Sequence, residues 1–105
     1  KEPKMAVEFF SRAIKYEPEA STWIGYGVAL RALGRFNESE FAYYSGLKVA
    51  PDAPEAWFNL ANLYRDTGRV KQAVEAYTKV VLGDDQLLSG RASEEIARMR
   101  DQINY

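Results

Sequence analysis

The side chains with the most obvious capacity for chemistry in this sequence are its carboxylates, since 15 residues are Asp or Glu. The closest pairs are Asp84-Asp85 and Glu94-Glu95, and each pair consists of immediate neighbours. Neighbouring residues in a helix point in different directions, so neither pair can converge on one reacting atom. We interpret both pairs as helix starts and solvent-facing positions, where negative charge is favourable near an N-terminal helix dipole.

Other catalytic and cofactor-binding chemistries lack their usual residues. The sequence contains no histidine and no cysteine, which removes the commonest general base, the commonest zinc ligand, thiolate nucleophiles and disulfide bonds. The glycines of Gly25-Tyr26-Gly27 lack the third glycine of a dinucleotide-binding loop and fall inside a predicted helix. The sequence therefore predicts a protein without enzymatic activity, cofactor or metal ion.

Composition narrows the class of protein further. The chain has 105 residues, 47% of them hydrophobic and 28% charged, with a net charge of −1. That balance is typical of one globular domain and offers no basic surface for nucleic acid. No run approaches the roughly 18 apolar residues of a membrane span. The start lacks both a signal-peptide core and an initiator methionine, so we expect a piece of a longer cytoplasmic protein.

Two similar segments set the organisation of the chain. The segment TWIGYGVALRALG begins at Thr22, and the segment AWFNLANLYRDTG begins at Ala56. Trp23 and Trp57 lie 57 − 23 = 34 positions apart, and the glycines that end the two segments have the same spacing. A fixed period of this length indicates stacked structural repeats.

Six helices follow from the apolar periodicity and from the Pro and Gly positions. Ser21 or Thr22 is the predicted N-cap of the second helix, and Asn37 that of the third. The last helix has a narrow apolar stripe at Ala92, Ile96, Met99 and Ile103 and is predicted to cover the end of the stack. The predicted helices span residues 3–16, 22–34, 37–49, 54–68, 71–82 and 89–103.

The repeated pattern resembles that of the tetratricopeptide repeat, W-x2-L-G-x2-Y, then A-x3-F, then P. In the second copy the matching positions are Trp57, Leu60, Ala61, Tyr64, Ala73 and Tyr77. In the first copy they are Trp23, Tyr26, Gly27, Leu30, Ser39, Tyr43 and Pro51. The resemblance implies an all-α, right-handed superhelical α-solenoid of antiparallel helix pairs. It divides a single domain into residues 1–19, the second half of a repeat, two full repeats at 20–53 and 54–87, and a capping helix at 88–105.

In this family the first helix of each repeat lines a concave groove, while the tryptophans and small residues pack the helices together. The resemblance therefore implies that certain other positions face a partner. In the first repeat these are Ser21, Ile24, Gly25, Val28 and Arg31. In the second they are Glu55, Phe58, Asn59, Asn62 and Arg65. The predicted partner-binding set is Asn59, Asn62, Phe58, Arg65, Ile24, Val28 and Arg31.

Asn59 is the strongest single candidate in this set. The run Asn59-Leu60-Ala61-Asn62 resembles the repeats of O-linked N-acetylglucosamine transferase, in which an asparagine ladder holds a peptide backbone. A carboxamide both donates and accepts hydrogen bonds, which suits it to a peptide unit. The matching position in the first repeat is Gly25, so only one rung is visible, and a solvated asparagine is the alternative.

A second resemblance, to the carboxylate clamp of cochaperones, fails because Ile24 and Val28 replace its lysine and asparagine. The groove is instead expected to be partly apolar, with Arg31 and Arg65 at its edge either binding an acidic partner segment or simply solvated. We predict a non-catalytic scaffold that binds a protein or peptide partner. The alternatives are self-association through Phe9, Phe10 and Ile14 of the opening half-repeat, and the targeting arm of a longer enzyme.

Overall fold

The computed structural model describes residues 2–103, with the side chain of the last of these excluded. This part of the chain forms six α-helices and no strand. The helices are α1 (Glu2–Tyr16), α2 (Ala20–Ala32), α3 (Phe36–Val49), α4 (Pro54–Asp66), α5 (Val70–Val81) and α6 (Gln86–Ile103). The predicted all-α class and number of helices are confirmed.

Two glycines end the first helices of the two full repeats in the same way. Gly34 has φ 78° and Gly68 has φ 79°, the left-handed conformation that glycine adopts without steric cost. The residue after each glycine donates its N–H back into the helix, from Arg35 to Leu30 and from Arg69 to Tyr64. Such a C-terminal turn is short, so α2 packs against α3, and α4 against α5, as antiparallel pairs.

Small residues let the helices of each pair approach closely. A β-carbon on Gly27 would lie 2.5 Å from the Tyr43 ring, so the ring of α3 rests directly on the backbone of α2. Ser39 strengthens the same crossing by donating its hydroxyl to the Gly27 carbonyl at 2.7 Å. In the second pair Ala61 and Ala73 are fully buried at the matching positions.

Two groups of buried residues join the pairs into one stack. The larger, called the main core below, comprises Tyr43, Leu47, Ala56, Leu60, Ala61, Leu63, Tyr64, Ala73, Ala76, Tyr77, Val80, Ala92 and Met99. The smaller comprises Val7, Ala29, Leu30 and Ala42. Both tryptophans are half-buried against these groups, and the Trp57 indole donates to the Pro51 carbonyl at 2.9 Å. Their predicted packing role is confirmed.

The helix α6 covers the end of the stack by packing along α5 and touching α4. Ala92 and Met99 are buried and Ile96 is half-buried, as the predicted stripe requires, while the opposite face is charged and exposed. The predicted stripe also includes Ile103, whose side chain lies outside the described residues.

Three predicted helix starts were wrong. The helix α2 begins at Ala20, so Ser21 and Thr22 lie inside its first turn, and Glu19 occupies the N-cap without a side-chain hydrogen bond. Arg35 takes the N-cap position of α3 in place of Asn37. The helix α6 begins three residues earlier than predicted, because the Asp85 carboxylate accepts the Leu88 N–H at 2.9 Å and satisfies an otherwise unpaired donor.

Candidate functional site

Asn59 lies on α4 and is partly exposed. Its carboxamide nitrogen donates to the Glu55 carbonyl one helical turn earlier, at 2.8 Å. Among residues 2–103, the Asn59 carbonyl oxygen and its second N–H make no other hydrogen bond to the protein. One donor and one acceptor therefore remain for a ligand, which is the minimum for pairing with a peptide unit.

Asn62 lies one turn further along α4 but is not an outward-facing residue. It is only 9% exposed, and its carboxamide oxygen accepts a hydrogen bond from the Tyr77 hydroxyl. The prediction that Asn62 faces a partner was therefore wrong. Its physical role is to satisfy a polar hydroxyl buried between α4 and α5, a group that would be costly to leave unpaired.

Arg65 completes this polar cluster from the next turn of α4. One nitrogen of its guanidinium donates to the Tyr77 hydroxyl at 3.3 Å and to the Glu95 carboxylate of α6 at 3.0 Å. Burial raises the pKa of Tyr77 to about 12, and the positive charge of Arg65 opposes that rise. The phenol is therefore neutral at physiological pH and can donate to Asn62.

Arg31 makes a corresponding link in the first repeat. Its guanidinium lies 3.1 Å from the Asp66 carboxylate at the end of α4, and Asp66 also pairs with Arg65 at 3.2 Å. The alternative that these arginines are merely solvated was wrong, because both connect neighbouring helices. Their charges are largely neutralised by Asp66 and Glu95, so they offer a partner less positive charge than the sequence indicated.

The remaining residues of the predicted partner-binding set are apolar. Phe58 is half-buried, with its ring edge-on to the Tyr77 ring at 5.8 Å. Ile24 is half-buried beside the main core, next to Gly46 of α3. Val28 is 40% exposed and presents the most accessible apolar side chain of the set.

The first repeat has no asparagine to match Asn59, because the matching position, Gly25, has no room for a side chain. A β-carbon there would lie 2.4 Å from the Phe10 ring, because α1 folds its aromatic ring directly onto the α2 backbone. Beside this contact lies an open cavity of about 440 Å³, lined almost entirely by carbon. It lies between α1 and α2 and is lined by Glu2, Pro3, Ala6, Phe10, Gly25, Val28, Ala29 and Ala32.

The sequence pattern does not predict the polar contacts of Tyr77 and Glu95. It places Tyr77 in the packing between helices and Glu95 in a solvent-facing pair. The one available signal is that a buried tyrosine hydroxyl usually has a hydrogen-bond partner.

The predicted partner-facing residues are thus apolar on α2, beside a cavity shared with α1, and polar at Asn59 of α4. Among residues 2–103, no cluster of acidic side chains has the arrangement of a metal site. In the same part of the chain, no helix is both long and apolar enough to cross a bilayer.

Comparison with known proteins agrees with this architecture of repeated antiparallel helix pairs. Two models described as "Tetratricopeptide repeat" match the chain, one over residues 20–63 and the other over residues 54–82. The chain therefore contains tetratricopeptide repeats. No curated protein matches it in sequence.

Solved structures share the fold despite low sequence identity. The type III secretion translocator chaperone SycD of Yersinia enterocolitica superposes with a TM-score of 0.88 at 15% identity, covering 99% of this chain and 76% of SycD. SycD in complex with a peptide of the translocator YopD gives 0.87 at 16% identity, covering 96% and 82%. The TPR2B domain of yeast Sti1, in a pHsp70 complex, gives 0.80 at 20% identity, covering 93% and 79%. The solenoid-type fold is thus confirmed.

Proposed function

We propose that this chain is a non-catalytic interaction scaffold that binds a peptide segment of a partner protein in the groove formed by α2 and α4. The observation that carries the proposal is Asn59, whose carboxamide keeps one donor and one acceptor available at a partly exposed position. Phe58, next to it on α4, and Val28 on α2 supply apolar surface. One polar anchor between apolar walls is a common composition for a binding groove.

Two of the structural neighbours support this function by analogy. SycD is described in complex with a peptide of YopD, and the Sti1 domain in a complex with pHsp70. At identities of 16% and 20%, these structures support a shared fold only. The residues that would bind a ligand therefore have to be inferred from the side chains of this protein.

The groove favours a partner segment that is more apolar than acidic. Arg31 and Arg65 are held by Asp66 and Glu95, so a carboxylate on the partner would have to displace an existing ion pair. The carbon-lined cavity near Val28 instead accommodates an aliphatic or aromatic side chain. We infer a segment with one apolar anchor at α2 and a main-chain amide pairing with Asn59. Of the asparagine ladder to which the sequence is similar, only one asparagine, Asn59, then takes part in binding.

The test uses a peptide selected by display on the immobilised protein, with its affinity measured by calorimetry. Asn59→Ala should weaken binding about tenfold, the equivalent of about 1.4 kcal/mol. Gln72→Ala is the matched control, because it removes an exposed carboxamide from α5, outside the groove. Equal affinity for wild type and Asn59→Ala would remove Asn59 from the site. Asn62 is unsuitable for this test, since its loss also affects the fold.

Self-association is the second candidate, and the helix α1 carries it. Phe10 and Ile14, two of the residues predicted to form the contact, are half-buried within the structure. The exposed stripe is instead Met5, Phe9 and Tyr16, which are 69%, 65% and 84% exposed. In α3 the position matching Phe9 is Ala42, which is fully buried against α2. A second copy packing on this stripe would give concentration-dependent sedimentation that Phe9→Glu abolishes.

The wider setting is also part of the proposal. We place the chain in the cytoplasm, without cofactor, as one domain with full repeats at 20–53 and 54–87, flanked by segments 1–19 and 88–105. Its role as a targeting arm of an enzyme is the remaining alternative. The sequence of the complete natural protein distinguishes these cases, because a catalytic domain on the same chain would favour the targeting role.

A further inference from the structure

The helix α3 presents a row of aromatic and basic side chains on the face of the stack that lies away from the groove. Phe41, Tyr44 and Lys48 follow one another at steps of three and four, so they share one side of the helix. Phe41 is 66% exposed and Tyr44 is 42% exposed. We call this row, together with the two cavities beside it, the outer face.

The two cavities of the outer face have the same construction. The first, of about 470 Å³, lies between α1, α2 and α3 and is walled by Ile14, Trp23, Tyr26 and Phe41. The second, of about 430 Å³, lies between α3 and α4 and is walled by Tyr44, Leu47, Pro51 and Trp57. Each therefore has a tryptophan in its wall and a lysine at its rim, Lys15 in the first and Lys48 in the second.

The repeat architecture does not require an aromatic residue at the Phe41 position, whereas the Tyr44 hydroxyl is hydrogen-bonded to that of Tyr64 on α4. The helix α5 occupies the same place in the second repeat, and 34 positions after Phe41 and Tyr44 it carries Glu75 and Thr78. A glutamate at that position is thus compatible with the fold. The Phe41 ring meets Trp23 edge-on at 6.1 Å, but most of its surface remains exposed, as is common where a partner binds.

The two acidic residues of α3, Glu38 and Glu40, are both held in ion pairs, and Glu38 also lines the first cavity. Both oxygens of Glu38 accept hydrogen bonds from Arg35, at 2.8 and 2.7 Å. Glu40 pairs with Arg69 of α5 at 2.9 Å. Within the described residues, neither Lys15 nor Lys48 makes an ion pair.

From these observations we propose that the outer face is a second interaction surface, which binds an acidic amphipathic helix of a partner protein. Phe41 and Lys48 are seven residues apart on one helix, about 10 Å at 1.5 Å per residue. Apolar residues two turns apart on a partner helix have the same spacing and would fill both cavities at once. Carboxylates beside them would meet the two rim lysines, which favours an acidic helix over a basic one.

The test compares two stapled synthetic helices that share leucines at positions i, i+3, i+4 and i+7. One carries glutamate and the other lysine at the remaining positions. Calorimetry measures affinity, and tryptophan fluorescence locates the binding, since the only two tryptophans of the chain line the two cavities. The glutamate helix should bind about tenfold more tightly than the lysine helix and should change the fluorescence.

Two variants tie binding to this surface. Phe41→Glu should weaken the binding of the glutamate helix about tenfold. The circular dichroism spectrum should stay unchanged, because α5 has a glutamate, Glu75, at the matching position. The double variant Lys15→Glu, Lys48→Glu should reverse the preference between the two helices, and both lysines are exposed, so folding is unaffected. Asn59→Ala, in the groove, should leave this binding intact, which separates the outer face from the proposed function.

Three results would overturn the proposal. The first is no binding of either helix, or equal binding of the two. The second is unchanged affinity in the Phe41→Glu variant. The third is dimerisation of the wild type, seen by sedimentation and lost in Phe41→Glu, which would make the occupant a second copy of this chain.

Discussion

The two full repeats place the same tyrosine in two different environments. Tyr77 donates its hydroxyl to Asn62 and receives a hydrogen bond from Arg65. The hydroxyl of Tyr43, 34 residues earlier, is buried with no hydrogen-bond partner in the described residues. The reason is Val28, which stands where the second repeat has Asn62 and offers no acceptor.

The pKa of the Tyr43 phenol agrees with the absence of a hydrogen-bond partner among residues 2–103. Burial raises the pKa of its phenol, and the neighbouring Ser39 lowers it only in part, since the Ser39 hydroxyl donates to Gly27 instead. The first repeat thus lacks a buried hydrogen bond and instead has an exposed apolar side chain, Val28. The same position of the repeat therefore serves the stability of the second pair of helices but leaves an accessible apolar surface on the first.

The largest expected effect concerns the crossing beneath each tyrosine. Gly27→Leu should lower the free energy of unfolding by about 3 kcal/mol, because even a β-carbon would lie 2.5 Å from the Tyr43 ring. Ala61→Gly, at the matching position, should cost only about 1 kcal/mol through helix propensity. Urea denaturation measures both. A tolerated leucine at Gly27 would contradict the tight crossing.

Exchanging Asn62 and Val28 between the repeats should change the stability of the protein in opposite directions. Asn62→Val leaves the Tyr77 proton without its acceptor and should cost about 2 kcal/mol. Val28→Asn gives Tyr43 the acceptor it lacks and should stabilise the protein by about 1 kcal/mol. Thermal denaturation of both variants checks the signs. A destabilised Val28→Asn protein would mean that the first repeat cannot reproduce the cluster of the second.

Removing the hydroxyl itself is a smaller and complementary change. Tyr77→Phe should cost about 1 kcal/mol, since Asn62 and Arg65 both lose a partner. Tyr43→Phe removes an unpaired buried hydroxyl, so the unfolding midpoint in urea should stay equal or rise. Equal losses in the two variants would show that the two tyrosines are equivalent after all.

The smallest effect is expected at the ion pairs that join the repeats. Asp66 pairs with both Arg31 and Arg65, and all three side chains are partly exposed. Asp66→Asn should therefore cost about 0.5 kcal/mol at low salt. The difference from wild type should shrink as ionic strength rises, because salt screens exposed charges. A difference that does not depend on salt would point to packing instead of charge.

The fold could be predicted because it depends on features that repeat along the chain. Trp23 and Trp57 mark the period, and Gly34 and Gly68 mark the same turn in each repeat. Helix starts were less predictable, because a side chain that can cap a helix does not always do so. Ser21 lies within the first turn of α2, whereas Asp85 caps α6.

The site was only partly predictable, since its details depend on contacts between helices. The partial exposure of Asn59 agrees with the repeat pattern, and its contact with a partner stays a prediction. Asn62 is buried because it accepts a hydrogen bond from Tyr77 of the neighbouring helix. The apolar periodicity of α4 alone cannot predict such a contact with α5. The neutralisation of Arg65 requires Glu95 on α6, the helix with the weakest match to the repeat. The absence of a side chain at Gly25 likewise depends on another helix, because the Phe10 ring of α1 occupies that space.

The central claim is that the second repeat holds a partner segment through Asn59 while Val28 supplies apolar contact. Its most direct test is an NMR titration of the isotope-labelled protein with the display-selected peptide, following every backbone and asparagine side-chain amide. The account predicts that the largest shift changes fall on Phe58, Asn59 and Val28, with the Asn59 carboxamide among them. Changes confined to α3 and α5, with the Asn59 amides unmoved, would contradict it.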